Sequence, residues 1–147
     1  HLQVHHLDPD RNILHLVNSK ENKSRFVLIP DFLISALQEY DQRTGITSGY
    51  MLRQLRNPER PLTYNTVKML FQDLKISTGV DRLHAHLLRH TFAISYLIGG
   101  GNLEFLRVFL GHYDYAATKT YVAMAAQMKL LGAPVYQLDP IFFQRGY

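Results

Sequence analysis

Glycines divide the second half of the chain into short segments. Gly99-Gly100-Gly101 ends a long apolar stretch, and Gly111 follows ten residues later. Glycine weakens a helix interior and favours the position just after a helix ends. We also expect the triple-glycine turn to be loose. The sequence therefore predicts three helices here, with Asn102 as the N-cap of the second: from about His86 to Ile98, from Leu103 to Leu110, and from near Ala116 toward Leu131.

The first half begins with two short segments rich in β-branched and apolar side chains. Ile13–Val17 and Arg25–Ile29 flank a polar stretch over residues 18–24, which predicts a β-hairpin with a longish loop. Pro30 stops the second strand, and Asp31 can cap a helix to about Gln42.

A second helix of this half follows a segment that we expect to be a loop. Residues 49–62 contain Pro58 and Pro61, which disfavour regular structure. Thr63 can cap a helix that ends at about Thr78, before Gly79. Its periodicity predicts that Val67, Leu70, Phe71 and Leu74 are buried. The total is five helices and one small N-terminal sheet, so we expect a mainly α fold (α+β) in a single domain over 1–147.

Composition narrows the class of protein. The chain has no cysteine, which excludes disulfides and thiolate metal sites and fits a cytoplasmic location. No apolar run reaches the ~18 residues of a transmembrane helix. The net charge is +4, and Glu59 is the single acid between Arg43 and Lys68. A basic segment of this kind suits a phosphate-rich partner, although charge alone equally fits a solvated face.

Two polar groups on the third predicted helix can meet one target. His86 and Arg89 are three residues apart, so they lie on one helix face. A guanidinium offers a rigid fork of donors that matches phosphate oxygens. Alone, this pair is a weak signal, because a core histidine beside a surface arginine is the more common reason for such a spacing. His112 follows Gly111, however, and Tyr121 lies nine residues further on, so the intervening helices can bring both back toward Arg89.

These segments resemble those of the tyrosine recombinases, which include phage integrases. The resemblance is carried by H-L-L-R-H-T-F-A from His86, by L-G-H at residues 110–112 and by T-x-x-Y-V around Tyr121. It implies the DNA breaking–rejoining catalytic-domain fold, truncated at its N-terminus. It also implies site-specific DNA recombination or integration for a phage or another mobile element, through a 3′-phosphotyrosyl intermediate.

The resemblance implies a role for each matching residue. Tyr121 matches the nucleophile, and Arg89 the second of two arginines that hold the phosphate. His86 and His112 match groups that hydrogen-bond the same phosphate. Lys20 matches the general acid in the hairpin loop, with Lys23 as the alternative in that loop.

The resemblance also implies partners. We expect double-stranded DNA and the other protomers of a tetrameric synapse, with no cofactor, no metal and no membrane. A zinc site at His84, His86 and His90 lacks the H-E-x-x-H pattern, and we expect His90 to be a packed, hydrogen-bonded helix residue. The candidate contacts to DNA phosphates are Lys23, Arg25, Arg53, Arg56, Arg60 and Lys68.

The sequence departs from the family at its start. The family's first catalytic arginine, its helix and the N-terminal core-binding domain have no counterpart here, so we expect a partial catalytic domain that is inactive alone. The tail over 133–147 can dock on another protomer or on its own domain. Two alternatives stay open: DNA relaxation like that of a type IB topoisomerase, and a non-catalytic DNA-binding module.

Overall fold

A computed structural model describes residues 2–18, 23–54, 56–112, 115–134 and 136–144. The chain divides into two compact units, His1–Val67 and Lys68–Tyr147.

The first unit contains a three-stranded antiparallel sheet. Its strands are β1 (Leu7–Asp8), β2 (Ile13–Asn18) and β3 (Lys23–Leu28), in that spatial order. The predicted hairpin is confirmed, because β2 pairs with β3 from Ile13 opposite Leu28 to Asn18 opposite Lys23. Strand β1 was not predicted, since two residues are too few for an alternating pattern to emerge.

Helix α1 (Asp31–Thr44) follows the sheet and supplies part of its core. Ile34 of α1 packs in one buried cluster with Leu14, Ile29 and Met51. Pro30 occupies the N-cap position. The proposed cap, Asp31, is instead the first helical residue, and its carboxylate accepts a hydrogen bond from the Asn12 side chain. Gly45 ends the helix with a left-handed backbone.

The segment predicted to be a loop contains a second hairpin. Strands β4 (Arg53–Gln54) and β5 (Asn57–Pro61) pair antiparallel, so the loop prediction is wrong here. Proline lacks an N–H and is tolerated at strand edges and ends. The two-stranded pairing leaves each strand with one outer edge, which accommodates both prolines of β5.

Helix α2 (Tyr64–Thr78) forms where expected, and Thr63 caps it through a bond from the Thr66 amide to its Oγ1 (3.2 Å). The predicted burial is wrong, because α2 contains no buried residue and Leu70 is 56% exposed. Periodicity identifies an apolar helix face but not whether anything covers it.

Every regular element that the structure describes after α2 is a helix. The three predicted helices are confirmed as α3 (Ala85–Ile98), α4 (Leu103–Leu110) and α5 (Tyr115–Leu130). Helix α3 packs against both α4 and α5. Asn102 caps α4 by accepting from the amides of Glu104 and Phe105, as predicted. A short α6 (Ile141–Gln144) lies in the tail and was not predicted.

A cluster of aromatic rings joins the tail to this unit. Phe142 of α6 is 8% exposed and lies 5.1 Å from Phe92 and 5.8 Å from Phe109, between ring centroids. Phe143 stacks on Tyr96 at 5.2 Å. These contacts are made within one chain, and docking of the tail on another protomer stays a prediction.

The triple-glycine turn is packed under these rings. A Cβ added at Gly101 would overlap the Tyr96 ring, and one at Gly99 would lie 2.8 Å from Phe143 Cζ. The Tyr96 hydroxyl also accepts from the Asn102 amide (3.1 Å). The expectation of a loose turn is therefore wrong: the close approach of the buried Tyr96 ring requires glycine at position 101, and Phe143 packs against Gly99.

Gly101→Ala should lower the free energy of unfolding by about 1–3 kcal/mol, because the new methyl group displaces a well-packed ring. Urea unfolding of the chain measures this difference. In a Tyr96→Leu background the added cost should largely disappear, since the clashing ring is gone. An equal loss in both backgrounds would contradict the packing argument.

Candidate functional site

Tyr121 lies on α5 in a row of aromatic rings. Its side chain is 4% exposed, and its ring centroid lies 5.3 Å from that of His90 and 6.2 Å from that of His112. His86 lies one helical turn before His90, and their rings are 4.8 Å apart. The packing of α3 on α5, together with the turn after α4, thus produces the order His86, His90, Tyr121 and His112. These four residues form the ring row.

His112 is held by both its side chain and its backbone. Gly111 ends α4 in the left-handed conformation (φ 71°), which turns the chain at this point. The His112 Nδ1 lies 3.0 Å from the hydroxyl of Thr118, a residue with no exposed surface. When that hydroxyl donates to Nδ1, the neutral ring carries its proton on Nε2 and can donate it to an anion. The sequence motif contains Thr118, but its role was missed.

Arg89 approaches the same turn from α3. Its Nη2 donates to the Leu110 carbonyl, two residues before His112. The Nε is buried and has no hydrogen-bond partner among the described residues. An arginine with unused donors beside a histidine that can donate is an arrangement suited to an oxyanion.

His90 contacts the tyrosine directly, which sequence reasoning did not anticipate. We expected it to be packed and hydrogen-bonded. Its ring does pack on its neighbours, but its buried Nδ1 has no hydrogen-bond partner in the described part of the chain. Burial lowers the pKa of His90, and the positive charges of His86, His84 and Arg89 lower it further. His90 is therefore neutral at pH 7.

The lowered pKa of His90 predicts a loss of stability in acid. Below its ordinary pKa of 6.5 the unfolded chain takes up a proton that the folded chain resists, so stability falls as pH drops from there toward the folded pKa. His90→Phe keeps a ring but cannot titrate, so it should flatten this fall in urea unfolding. The pKa of His6 is also lowered, chiefly by burial, so some dependence remains. An unchanged slope in the variant would contradict the assignment.

The other predicted site residues differ in whether the structure describes them and in how exposed they are. Lys20 lies outside the described residues, as does the side chain of Lys23. The Arg53 guanidinium donates to the carbonyls of Tyr50 (2.6 Å) and Ser48, so it also braces the turn before β4. Arg25 is partly buried in β3, and the exposed candidates are Arg56, Arg60 and Lys68.

The described residues contain no group of three or more His, Asp or Glu side chains placed to hold a metal ion, so His84, His86 and His90 do not form such a group. None of the described helices is long and apolar enough to cross a membrane.

Comparison with known proteins identifies relatives. Residues 1–128 match the model of the phage integrase family. The chain is 31% identical over 120 residues to tyrosine recombinase XerD of Caulobacter vibrioides, covering 76% of this chain and 39% of that protein. It is 29% identical over 116 residues to tyrosine recombinase XerC of Staphylococcus epidermidis, covering 76% and 38%.

A solved structure is similar as well. The crystal structure of XerA recombinase aligns with a TM-score of 0.74 and 27% identity, over 92% of this chain and 52% of that one. The expected mainly α fold with small sheets is thereby confirmed. The chain spans less than half the length of the XerC and XerD relatives. The family match extends over most of the chain and includes every residue of the ring row, so this chain belongs to the phage integrase family of tyrosine recombinases.

Proposed function

We propose that this chain is the catalytic part of a site-specific DNA recombinase that uses Tyr121 as its nucleophile. The observation that carries the proposal is the position of Tyr121 between His90 and His112, beside the turn that Arg89 contacts. A buried tyrosine between two imidazoles, with a guanidinium bound to the turn that carries one of them, is an arrangement that phosphoryl transfer can use.

The proposed reaction exchanges one ester for another. The Tyr121 phenolate attacks a backbone phosphorus, a P–O bond to tyrosine forms, and the P–O5′ bond breaks to leave a 3′-phosphotyrosyl strand. The leaving 5′-oxygen takes a proton, which we assign to Lys20. Charge grows on the non-bridging oxygens in the transition state, where Arg89, His86 and His112 would stabilise it.

The tyrosine itself must lose a proton to react. Its ordinary pKa is ~10, so a neighbouring base or a cationic field has to assist. The covalent intermediate keeps the energy of the phosphate ester, so attack by another strand's 5′-hydroxyl rejoins the DNA without ATP.

The proposed partners are double-stranded DNA and further protomers of a tetrameric synapse. The basic side chains of the first unit and Lys68 would neutralise backbone phosphates, so affinity should fall steeply with salt. These side chains are Lys23, Arg25, Arg53, Arg56 and Arg60.

A trapping experiment on the full-length protein tests the function. A pool of nicked duplexes with a random central sequence loses a short 5′-hydroxyl fragment after cleavage, so the covalent adduct accumulates. Sequencing of the detergent-resistant adducts identifies the site, and peptide mapping identifies the linked residue. Linkage at Tyr121 supports the proposal. DNA binding without any adduct would favour a binding module, and relaxation of a single supercoiled plasmid without strand exchange would favour a topoisomerase.

A further inference from the structure

We propose that Arg107, fixed by Glu104 and Tyr115, is a positioning residue that sets the backbone of His112. The inference rests on the proposed function, in which His112 contacts the scissile phosphate.

Arg107 binds His112 from two directions. Its Nη1 donates to the His112 carbonyl (3.0 Å), and its own carbonyl accepts from the His112 amide (3.0 Å). Both polar backbone groups of His112 are therefore bound to one residue, while Thr118 binds the ring. A small shift of Arg107 would move the imidazole with it.

The guanidinium is itself fixed on three sides. Its Nε donates to both carboxylate oxygens of Glu104 (3.1 and 3.0 Å), and its Nη2 also reaches this carboxylate. The Arg107 Cζ lies 5.3 Å from the ring centroid of Tyr115, whose hydroxyl donates to Glu104. Hydrogen bonds from Arg107 and then Tyr115 lower the pKa of Glu104 to about 2, so the carboxylate stays ionised at neutral pH.

The cluster of Glu104, Arg107 and Tyr115 connects α4 with the start of α5, and His112 lies between these two helices in the sequence. Glu104 lies in the first turn of α4, Arg107 one turn later, and Tyr115 is the first residue of α5. The side chains of Arg107 and Glu104 are 24% and 48% exposed. Exposed ion pairs of this kind add little to stability. This pair differs from an ordinary exposed pair because the remaining donor of Arg107, Nη1, binds the carbonyl of His112 in the ring row.

An ordinary ion pair on α1 provides a matched control for the pair of Glu104 and Arg107. Glu39 and Arg43 on α1 form an ion pair of 2.6 Å, with side chains 61% and 77% exposed. Glu104→Gln and Glu39→Gln therefore remove the same charge from pairs of similar type. Only the first should affect His112.

The rate of adduct formation by the full-length protein is the first measurement. Arg107→Gln should lower it between about 10-fold and 100-fold, because a displacement of ~1 Å away from the chemistry can cost ~100-fold. DNA affinity should be unchanged. Glu104→Gln should have a smaller effect in the same direction, and Glu39→Gln none. A wild-type rate in Arg107→Gln would overturn the proposal.

A double variant separates positioning from general destabilisation. If Arg107 acts through His112, then Arg107→Gln should have almost no further effect on the adduct rate in a His112→Ala background. Independent, multiplying losses would overturn the proposal.

The His112 ring resonance provides a readout without DNA. In the 147-residue chain, Arg107→Gln should shift the His112 Cε1–H signal and its titration, whereas Glu39→Gln should not. A signal that stays unchanged in Arg107→Gln would overturn the positioning role. If the signal shifts but the wild-type protein forms no adduct with any DNA, the proposed function fails while the positioning role stands.

Discussion

Tyr121→Phe is expected to abolish the covalent protein–DNA adduct while DNA affinity stays close to that of the wild type. The change removes one oxygen and keeps the ring, so the contacts with His90 and His112 remain possible. Since Tyr121 is 4% exposed, the ring also fills space in the unit, and phenylalanine preserves that packing. Trapping with nicked duplexes, followed by denaturing electrophoresis, measures the adduct.

The control for this variant is another tyrosine. Tyr136 lies in the tail and is 70% exposed, so Tyr136→Phe should form the adduct at the wild-type rate. An adduct that persists in Tyr121→Phe would show that a different side chain attacks the phosphate, and the assignment of the nucleophile would be wrong.

Arg89→Ala should slow adduct formation by roughly 10²–10³-fold, the usual effect of removing one donor from a developing oxyanion. Arg89→Lys should recover only part of this rate, because a lysine offers a point charge in place of a planar fork. Single-turnover trapping at saturating DNA measures the rate, and thermal unfolding checks that the loss of the bond to the Leu110 carbonyl leaves the variants folded.

A second arginine provides a control that tests whether the loss of one positive charge is enough to slow adduct formation. Arg11 forms an exposed pair with Asp8 in the first unit, and Arg11→Ala removes the same charge. We expect this variant to react at the wild-type rate. If Arg89→Lys also reacted at the wild-type rate, a bidentate contact from Arg89 to the phosphate would be excluded.

The sequence predicts well those features that depend on local signals, such as the residues that begin or end a helix. Helices α3, α4 and α5 end or begin at residues whose effect is confined to one turn, such as Asn102 and Gly111. The predicted site residues of the second unit lie on those helices or on the turn between them: His86, Arg89, His112 and Tyr121. Their approach to one another could be inferred because two helix lengths and one turn limit where the chain can return.

The features that the sequence does not predict depend on how the chain turns and on how its helices cross. The Tyr96 ring lies against Gly101 because of the way the chain turns after α3, and a run of glycines does not specify that turn. Hairpin β4–β5 has almost no apolar pattern, and α6 has only four residues. The contact of His90 with Tyr121 arises from the crossing of α3 and α5. The hydrogen bond from Arg107 Nη1 to the His112 carbonyl depends on the conformation of one side chain. These features become visible only once the helices are placed.

The aromatic cluster between α6 and the helices before it limits where this protein can be shortened or labelled. Removing the residues after Gly132 would uncover Phe92 and Phe109, on which Phe142 lies, together with the face of Tyr96 that Phe143 covers. A shortened protein would present an apolar surface of several rings to solvent and would tend to aggregate. An affinity tag is better placed beyond α6, and a fluorescent label is better attached at the exposed Tyr136 position than within Ile141–Gln144.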